Sequence, residues 1–436
     1  MTGNDGAPGT LESPWLTLQK AADVVPVGST VFVRGGTYGP FVMSRSGTSS
    51  QPVTFAAFAS EVPVIDGGGV TEYTVRVTRA SYVRLVGLTV TGGYSAGHRG
   101  GGIMIENSSG VEMRNNIVRN NHSYGIRLLA SSDVLIQGNE LYGNAVGVHL
   151  GRVGEGVSVV ENRIHDNNQM IVNTPTTVGD DAGGDGVAIV NSTGHVVVAR
   201  NLLWGNRALS YDYGYDGGAF SVYASSNWTI RDNVTWDNRN VLETATDAAK
   251  TPCDGGYFVR NLNYGATTVD RTVGMVLRCA SNTLVANNTF AGIQYFVFDI
   301  SNNSGSWGSS IEGLRVINNV ATLTSGKVYS ILTSLPASVV LDRNVLHYSG
   351  SSVLATVVGN STSSLATFQS WTGQETNGVV ADPHFRAPET NDYTLLSDSQ
   401  AIDRGTTIPG VTDGFTGVAP DSGYAEFQLP PAGVGF

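Results

Sequence analysis

The sequence predicts an all-β solenoid, a parallel β-helix with an N-terminal helical cap and an irregular C-terminal cap. Three observations support this. An asparagine recurs in register at Asn116, Asn139, Asn162, Asn201, Asn233, Asn261, Asn288, Asn319 and Asn344, with a basic interval of 23 residues. Between these positions lie short runs such as GIMIE, GIRLL, GVHLG and GVAIV, which alternate with a period of two, as strands with one buried face do. The composition, 55 Gly among 436 residues and 14% charged, favours many short strands joined by tight turns over helices.

Residues 1–80 read as a cap and first coils. The stretch PWLTLQKAADVV from Pro14 has apolar residues at helical spacing, and the strand-like STVFVRGGTY from Ser29 follows it. A short helix there would cover the apolar end that a stack of strands exposes. Residues 81–350 carry the repeats. Three strands and three turns make one coil, and coils stack about 4.8 Å apart. The recurrent Asn fits a ladder of side-chain amides at one corner, and a second Asn follows five residues on at Asn121, Asn144, Asn167, Asn206 and Asn238. One column, Ile103, Ile126, Val148, Val187, Ala219, Leu242, Met275 and Val297, should point inward. The next, Met104, Arg127, His149, Ala188, Phe220, Glu243, Val276 and Phe298, should point outward. Residues 351–436 read as last coils and exit cap, so one structural domain is expected overall.

The formal charge of −11 and the absence of clustered Lys and Arg argue against a nucleic-acid partner. No apolar run reaches the roughly 18–20 residues of a membrane helix, so no membrane partner is expected. The chain begins inside what reads as a cap, and an export signal is expected to have been removed ahead of it. A secreted, monomeric protein, extracellular or periplasmic, is the expectation. Cys253 and Cys279 follow corresponding strands in neighbouring repeats; a disulfide and two buried thiols both remain open.

The entry segment GNDGAPGTLESPWLTLQKAADVVPVGSTVFVRGGTY resembles the start of right-handed parallel β-helix proteins of the pectate-lyase-like superfamily. The segments ADPHF from Ala381, DYTL from Asp392 and SQAIDRG from Ser399 resemble their finish. The resemblance implies a carbohydrate-active protein, with a polysaccharide or oligosaccharide as partner. It does not choose among lyases, hydrolases, epimerases and adhesins.

Chemistry is expected where the repeat lengthens. The interval from Asn162 to Asn201 is 39 residues against the basic 23, its excess lying in NTPTTVGDDAGGD at 173–185. The next two intervals add RALSYDYGYD at 207–216 and TATDAAKTPCD after Glu243. These loops should wall a cleft containing Asp180, Asp181, Asp185, Asp212, Asp216, Glu243, Asp247 and Asp254, with Tyr211, Tyr213, Tyr215 and Phe220 as sugar platforms. Crowded carboxylates push one another's pKa values apart, as a general acid beside a base or nucleophile requires.

Glycoside hydrolysis is therefore the expected reaction, with Asp216 and Glu243 as acid and base or nucleophile and Asp185 tuning a pKa or positioning water. Asp185 and Asp216 can also be read as plain Asp-Gly turns. Arg127, His149 and Arg278 would bind sugar at flanking positions or be solvated surface, and Asp181 and Asp247 would line the cleft. No cofactor is required, although DDAGGD could wrap calcium through Asp180, Asp181 and Asp185. The alternative reaction is that of the pectate lyases of polysaccharide lyase family nine, which combine an Asp-rich calcium site with a proton-abstracting Lys. The phrases DGVAIV and DGGAFSV are similar to their strand openings, but no Lys stands at the matching places, Lys250 and Arg207 being the nearby cations. A non-catalytic glycan-binding β-helix is the second alternative.

Overall fold

A computed structural model describes residues 3–94, 99–175, 181–211, 214–265, 272–323, 325–350 and 352–428. The chain divides into two compact units, 1–221 and 222–436. Each is a parallel β-helix of three sheets. No helix among the described residues is long and apolar enough to cross a membrane.

The N-terminal unit opens with the expected helix, Leu18–Val24, whose Thr17 hydroxyl caps it by accepting from the Lys20 amide and whose Leu18, Ala21 and Ala22 are buried. The third strand of each coil forms the sheet that matters for function: Phe41–Met43, Tyr73–Thr78, Gly101–Glu106, Tyr124–Leu129, Val146–Gly151 and Asp185–Val190, in that spatial order. Ile103, Ile126, Val148 and Val187 are register partners in succession, all buried, as the period-two pattern predicts. In the C-terminal unit the corresponding strands are Asn240–Ala245, Val273–Leu277, Phe296–Ile300, Lys327–Ile331 and Val353–Val357.

The asparagines form the expected ladders. Asn116, Asn139 and Asn162 each pass an Nδ2–H to the Oδ1 of the next, the series reaching Asn201, at 2.9–3.0 Å, and that same Oδ1 also accepts the preceding Asn's backbone N–H. Asn121, Asn144, Asn167 and Asn206 make a second ladder. In the C-terminal unit one ladder runs from Asn233 through Asn261, Asn288 and Asn319 to Asn344. The residue before each first-ladder Asn turns the corner with positive φ, as at Glu161 (60°), Arg200 (55°) and Asn318 (57°). The amides satisfy groups freed by that turn, which offsets the cost of a left-handed non-glycine residue.

The last ladder ends on an acid. Asn344 Nδ2 donates to Glu375 Oε1 at 2.6 Å, and Tyr329 Oη donates to the same oxygen. Glu375 is fully buried, and burial pushes its carboxyl up to about 7. The exit cap is more regular than expected: helix Leu365–Thr372 lays Phe368 against Tyr329, ring centroids 5.2 Å apart. Cys253 and Cys279 are joined in a disulfide, with Cα atoms 5.4 Å apart.

Two outward assignments are corrected by register. Phe298 pairs with Met275 and lies in the core, so its neighbour Asp299 takes the outward place beside Val276. Phe220 is likewise core, 1% exposed, and is not a sugar platform. A Cβ on Gly186 would stand 2.7 Å from the Ala219 carbonyl oxygen, which aligns Val187 with Phe220 and leaves Ser221 outward. A shift of one residue exchanges the two faces of a strand, and neither FVFDI nor GGAFSV carries a glycine that fixes the phase unambiguously.

Candidate functional site

In the N-terminal unit the outward face of the third sheet is partly roofed. Ile171, from the lengthened loop, packs with Tyr124, Ala145, Val146 and Ala188, which buries Ala188, a residue expected to line an open face. Arg127 lies over the Tyr124 ring, 4.8 Å from its centroid, and donates to the Tyr73 hydroxyl at 3.0 Å. His149 packs against the same Tyr124 ring, centroids 4.6 Å apart and tilted by 53°. Burial holds the Tyr124 hydroxyl above its ordinary pKa, with a smaller contribution from Asp185.

The two long loops of this unit form antiparallel ribbons, Met170–Val172 with Ala182–Gly183 and Ala208–Ser210 with Gly214–Asp216. They are tied together: Asn173 bonds Leu209 and Tyr211, while Asp181 accepts from the Thr174 amide and from Ser210 Oγ. Asp185 opens its strand as expected. Asp216 closes a ribbon two residues before its strand, so the phrases DGVAIV and DGGAFSV are not equivalent in space. The backbones still meet, Gly218 donating to the Gly184 carbonyl at 3.1 Å. Tyr211 is 64% exposed and Tyr215 is also exposed at the ribbon's edge. Asp180, Asp212 and Tyr213 lie outside the described residues.

The C-terminal unit assembles a different group. Glu243, Val276, Asp299 and Ser330 are register partners in one outward column. Glu243 Oε2 accepts from Asn240 Nδ2 at 3.3 Å. Burial pushes the Glu243 carboxyl up, the Arg278 and Arg239 charges pull it part of the way back, and Asp299 raises it further. Asp299 is only 4% exposed and is also pushed up by burial, against a hydrogen bond from Ser330 and the charges of Arg278 and Lys327. Arg278 stands 3.9 Å from Asp299, the outer limit of an ion pair. The unit thus holds two carboxyls biased toward their neutral forms and flanked by cations, as proton-transfer sites require.

Asp299, Arg239 and Lys327 had no place in the sequence-based site. Lys327 opens the strand one coil after Asp299, and counting strand starts from Val273 through Phe296 would have found it. Asp247 is consumed locally, accepting from the Thr251 amide and hydroxyl at 3.0 and 2.8 Å, and these bonds lower its pKa. Lys250 is equally committed: its ammonium donates to the carbonyls of Gly305, Ser306 and Gly308. Among the described residues no group of three or more His, Cys, Asp or Glu side chains could hold a metal ion. Both oxygens of Asp181 accept protein hydrogen bonds, and the calcium site anticipated at Asp180, Asp181 and Asp185 falls partly outside the described residues at Asp180.

Fold and site together define a right-handed parallel β-helix related to the pectate-lyase-like carbohydrate-active proteins, with carboxyls and cations set on the outer face of one sheet. Residues 1–295 match the family described as Pel9A-like, right-handed β-helix region, and the chain belongs to that family. It is 41% identical over 68 residues to pectate lyase PEL9 of Emericella nidulans, covering 15% of this chain and 17% of that protein. It is 35% identical over 94 residues to the uncharacterised protein YwoF of Bacillus subtilis, covering 20% of each. The chain therefore spans a fifth or less of the length of these curated relatives. Among solved structures, that of pectate lyase Pel9A aligns with a TM-score of 0.51 at 18% identity, covering 98% of this chain and 94% of that one, a likeness of fold. Family membership and the relative from Emericella overturn the expectation of a glycoside hydrolase. Acid-rich loops suggested hydrolysis, but they answer equally to loop-to-loop hydrogen bonding.

Proposed function

We propose that the chain is a secreted polysaccharide lyase that cleaves a uronate-containing polymer by β-elimination. Membership of the Pel9A-like family carries this reading. In such a reaction a base removes the C5 proton, the C4–O4 bond breaks, a C4–C5 double bond forms, and the departing oxygen takes a proton. The C5 proton becomes acidic enough only when positive charge offsets the adjacent carboxylate.

The C-terminal unit has groups suited to each step. Arg278 and Arg239 would face the uronate carboxylate. Glu243, its pKa raised toward working pH, would act as the base. Asp299, also raised, would give a proton to the leaving oxygen. Asp185 and Asp216 belong to the other unit and have no proton-transfer role in this scheme. No step passes through calcium, since the described residues bring no three candidate ligands together. The Cys253–Cys279 disulfide supports an oxidising destination outside the cytoplasm. Helix Leu18–Val24 before the first coil and helix Leu365–Thr372 after the last third-sheet strands support a monomer, since covered sheet ends resist end-to-end association.

Incubation with a panel of uronate polymers should release products that absorb in the ultraviolet through the new double bond, and Glu243→Gln should slow their release by about 10³-fold. New reducing ends without that absorbance would overturn the reading.

A further inference from the structure

Resting on the lyase reading, we propose that Trp307 and Tyr223 form a sugar-stacking subsite that holds the residue of the polymer next to the one reacting at Glu243 and Arg278. The indole of Trp307 is 42% exposed, and the Tyr223 ring lies 5.9 Å from it at an interplanar angle of 54°.

The segment carrying Trp307 is held firmly without its side chain. Lys250 Nζ donates to the carbonyls of Gly305, Ser306 and Gly308 at 2.6–2.9 Å. The Thr246 amide donates to the Trp307 carbonyl at 3.0 Å, the Ser309 amide to the Arg278 carbonyl at 2.7 Å, and the Asn303 amide to the Ser309 carbonyl at 2.8 Å. The disulfide at Cys279 anchors the residue after Arg278. All these bonds run through backbone, Lys250 or sulfur. The indole contributes to none of them, yet it is displayed on a rigid support, the arrangement that gives an aromatic anchor its affinity at low ordering cost.

The position also fits. Thr246 lies three residues beyond Glu243, about 10 Å along an extended chain. Arg278, whose guanidinium faces Asp299, is bonded through its backbone to the same segment. A polymer with one sugar at Glu243 therefore meets the aromatic pair where its neighbour would lie. Sugar rings offer apolar C–H faces to aromatic rings while their hydroxyls stay solvated.

The test separates subsite from reaction. Trp307→Ala should raise KM about tenfold, with kcat within about twofold, a tenfold change corresponding to ~1.4 kcal/mol of binding. Trp307→Phe should restore most of the loss, and melting temperature should not move. Oligogalacturonate added to the Glu243→Gln protein should quench indole fluorescence, and the quench should vanish in the Glu243→Gln/Trp307→Phe double variant. An unchanged KM, a fall confined to kcat, or a quench that survives in the double variant would overturn the subsite. Quenching with no unsaturated product from the unsubstituted protein would retain the subsite and remove the lyase reading.

Discussion

The outward face of the third sheet can be compared between the two units. In residues 1–221, Arg127 and His149 lean on one buried tyrosine beneath Ile171, and the acid-rich loops spend Asp181 on tying ribbon to ribbon. In residues 222–436, Glu243 and Asp299 sit on the strands themselves, two coils apart with Val276 between, and burial raises both. In the unit whose loops are richer in acids, the loop acid Asp181 thus ties ribbon to ribbon. A carboxyl becomes chemically useful when it is desolvated on a rigid element, which a count of acids does not report.

The largest expected effect tests that contrast directly. Glu243→Gln should lower kcat by about 10³-fold, the scale of general acid–base catalysis, whereas Asp185→Asn should cost less than about tenfold. Equal losses would break the contrast. Activity should rise with pH through the raised Glu243 pKa, because the base must be ionised.

The scaffold should behave alike in both units even though the chemistry differs. Asn288→Ala and Asn139→Ala each leave buried backbone and amide donors of the preceding coil without an acceptor, and each should cost about 3 kcal/mol in denaturant unfolding. A large inequality would show that the ladders are not equivalent supports.

A difference of similar size concerns pH. The folded Glu375 carboxyl, raised to about 7 from 4.5, favours folding below pH 4.5, and that stability is lost as pH rises through about 7. The loss should be on the order of 3 kcal/mol over that window, and Glu375→Gln should flatten it. Smallest of all, Asp181→Ala should cost under about 1 kcal/mol and leave activity within about threefold, since one loop tie is removed at a partly exposed place.

The solenoid, its entry helix and its ladders were legible because each repeats or follows a local pattern. Asn139 or Asn288 is conspicuous through its spacing alone. Register was most legible where a glycine marks the strand opening, as at Gly125 or Gly147. It slipped at Phe220, where the opening glycine is doubled, and at Phe298, where none stands, and that slip concealed Asp299. Glu375 was not legible, because it lies outside the repeat and reaches the ladder only through folding. Nor was the reaction: acids in loops and acids on strands look alike until burial distinguishes them. The bridge between Cys253 and Cys279 likewise needed coordinates, since spacing permitted it without requiring it.

The asparagine ladder has a consequence for how such proteins change in length. Each ladder Asn offers the same acceptor to the coil before it and the same donors to the coil after it. A whole coil can therefore be duplicated or deleted without leaving an amide stranded, provided its left-handed corner residue and its Asn travel together. Span along the polymer becomes a heritable variable, adjustable in steps of about 4.8 Å without redesign of the interior. Glu375 is the exception. As the terminator of the series it can occur only once, so growth is confined to the coils that precede it.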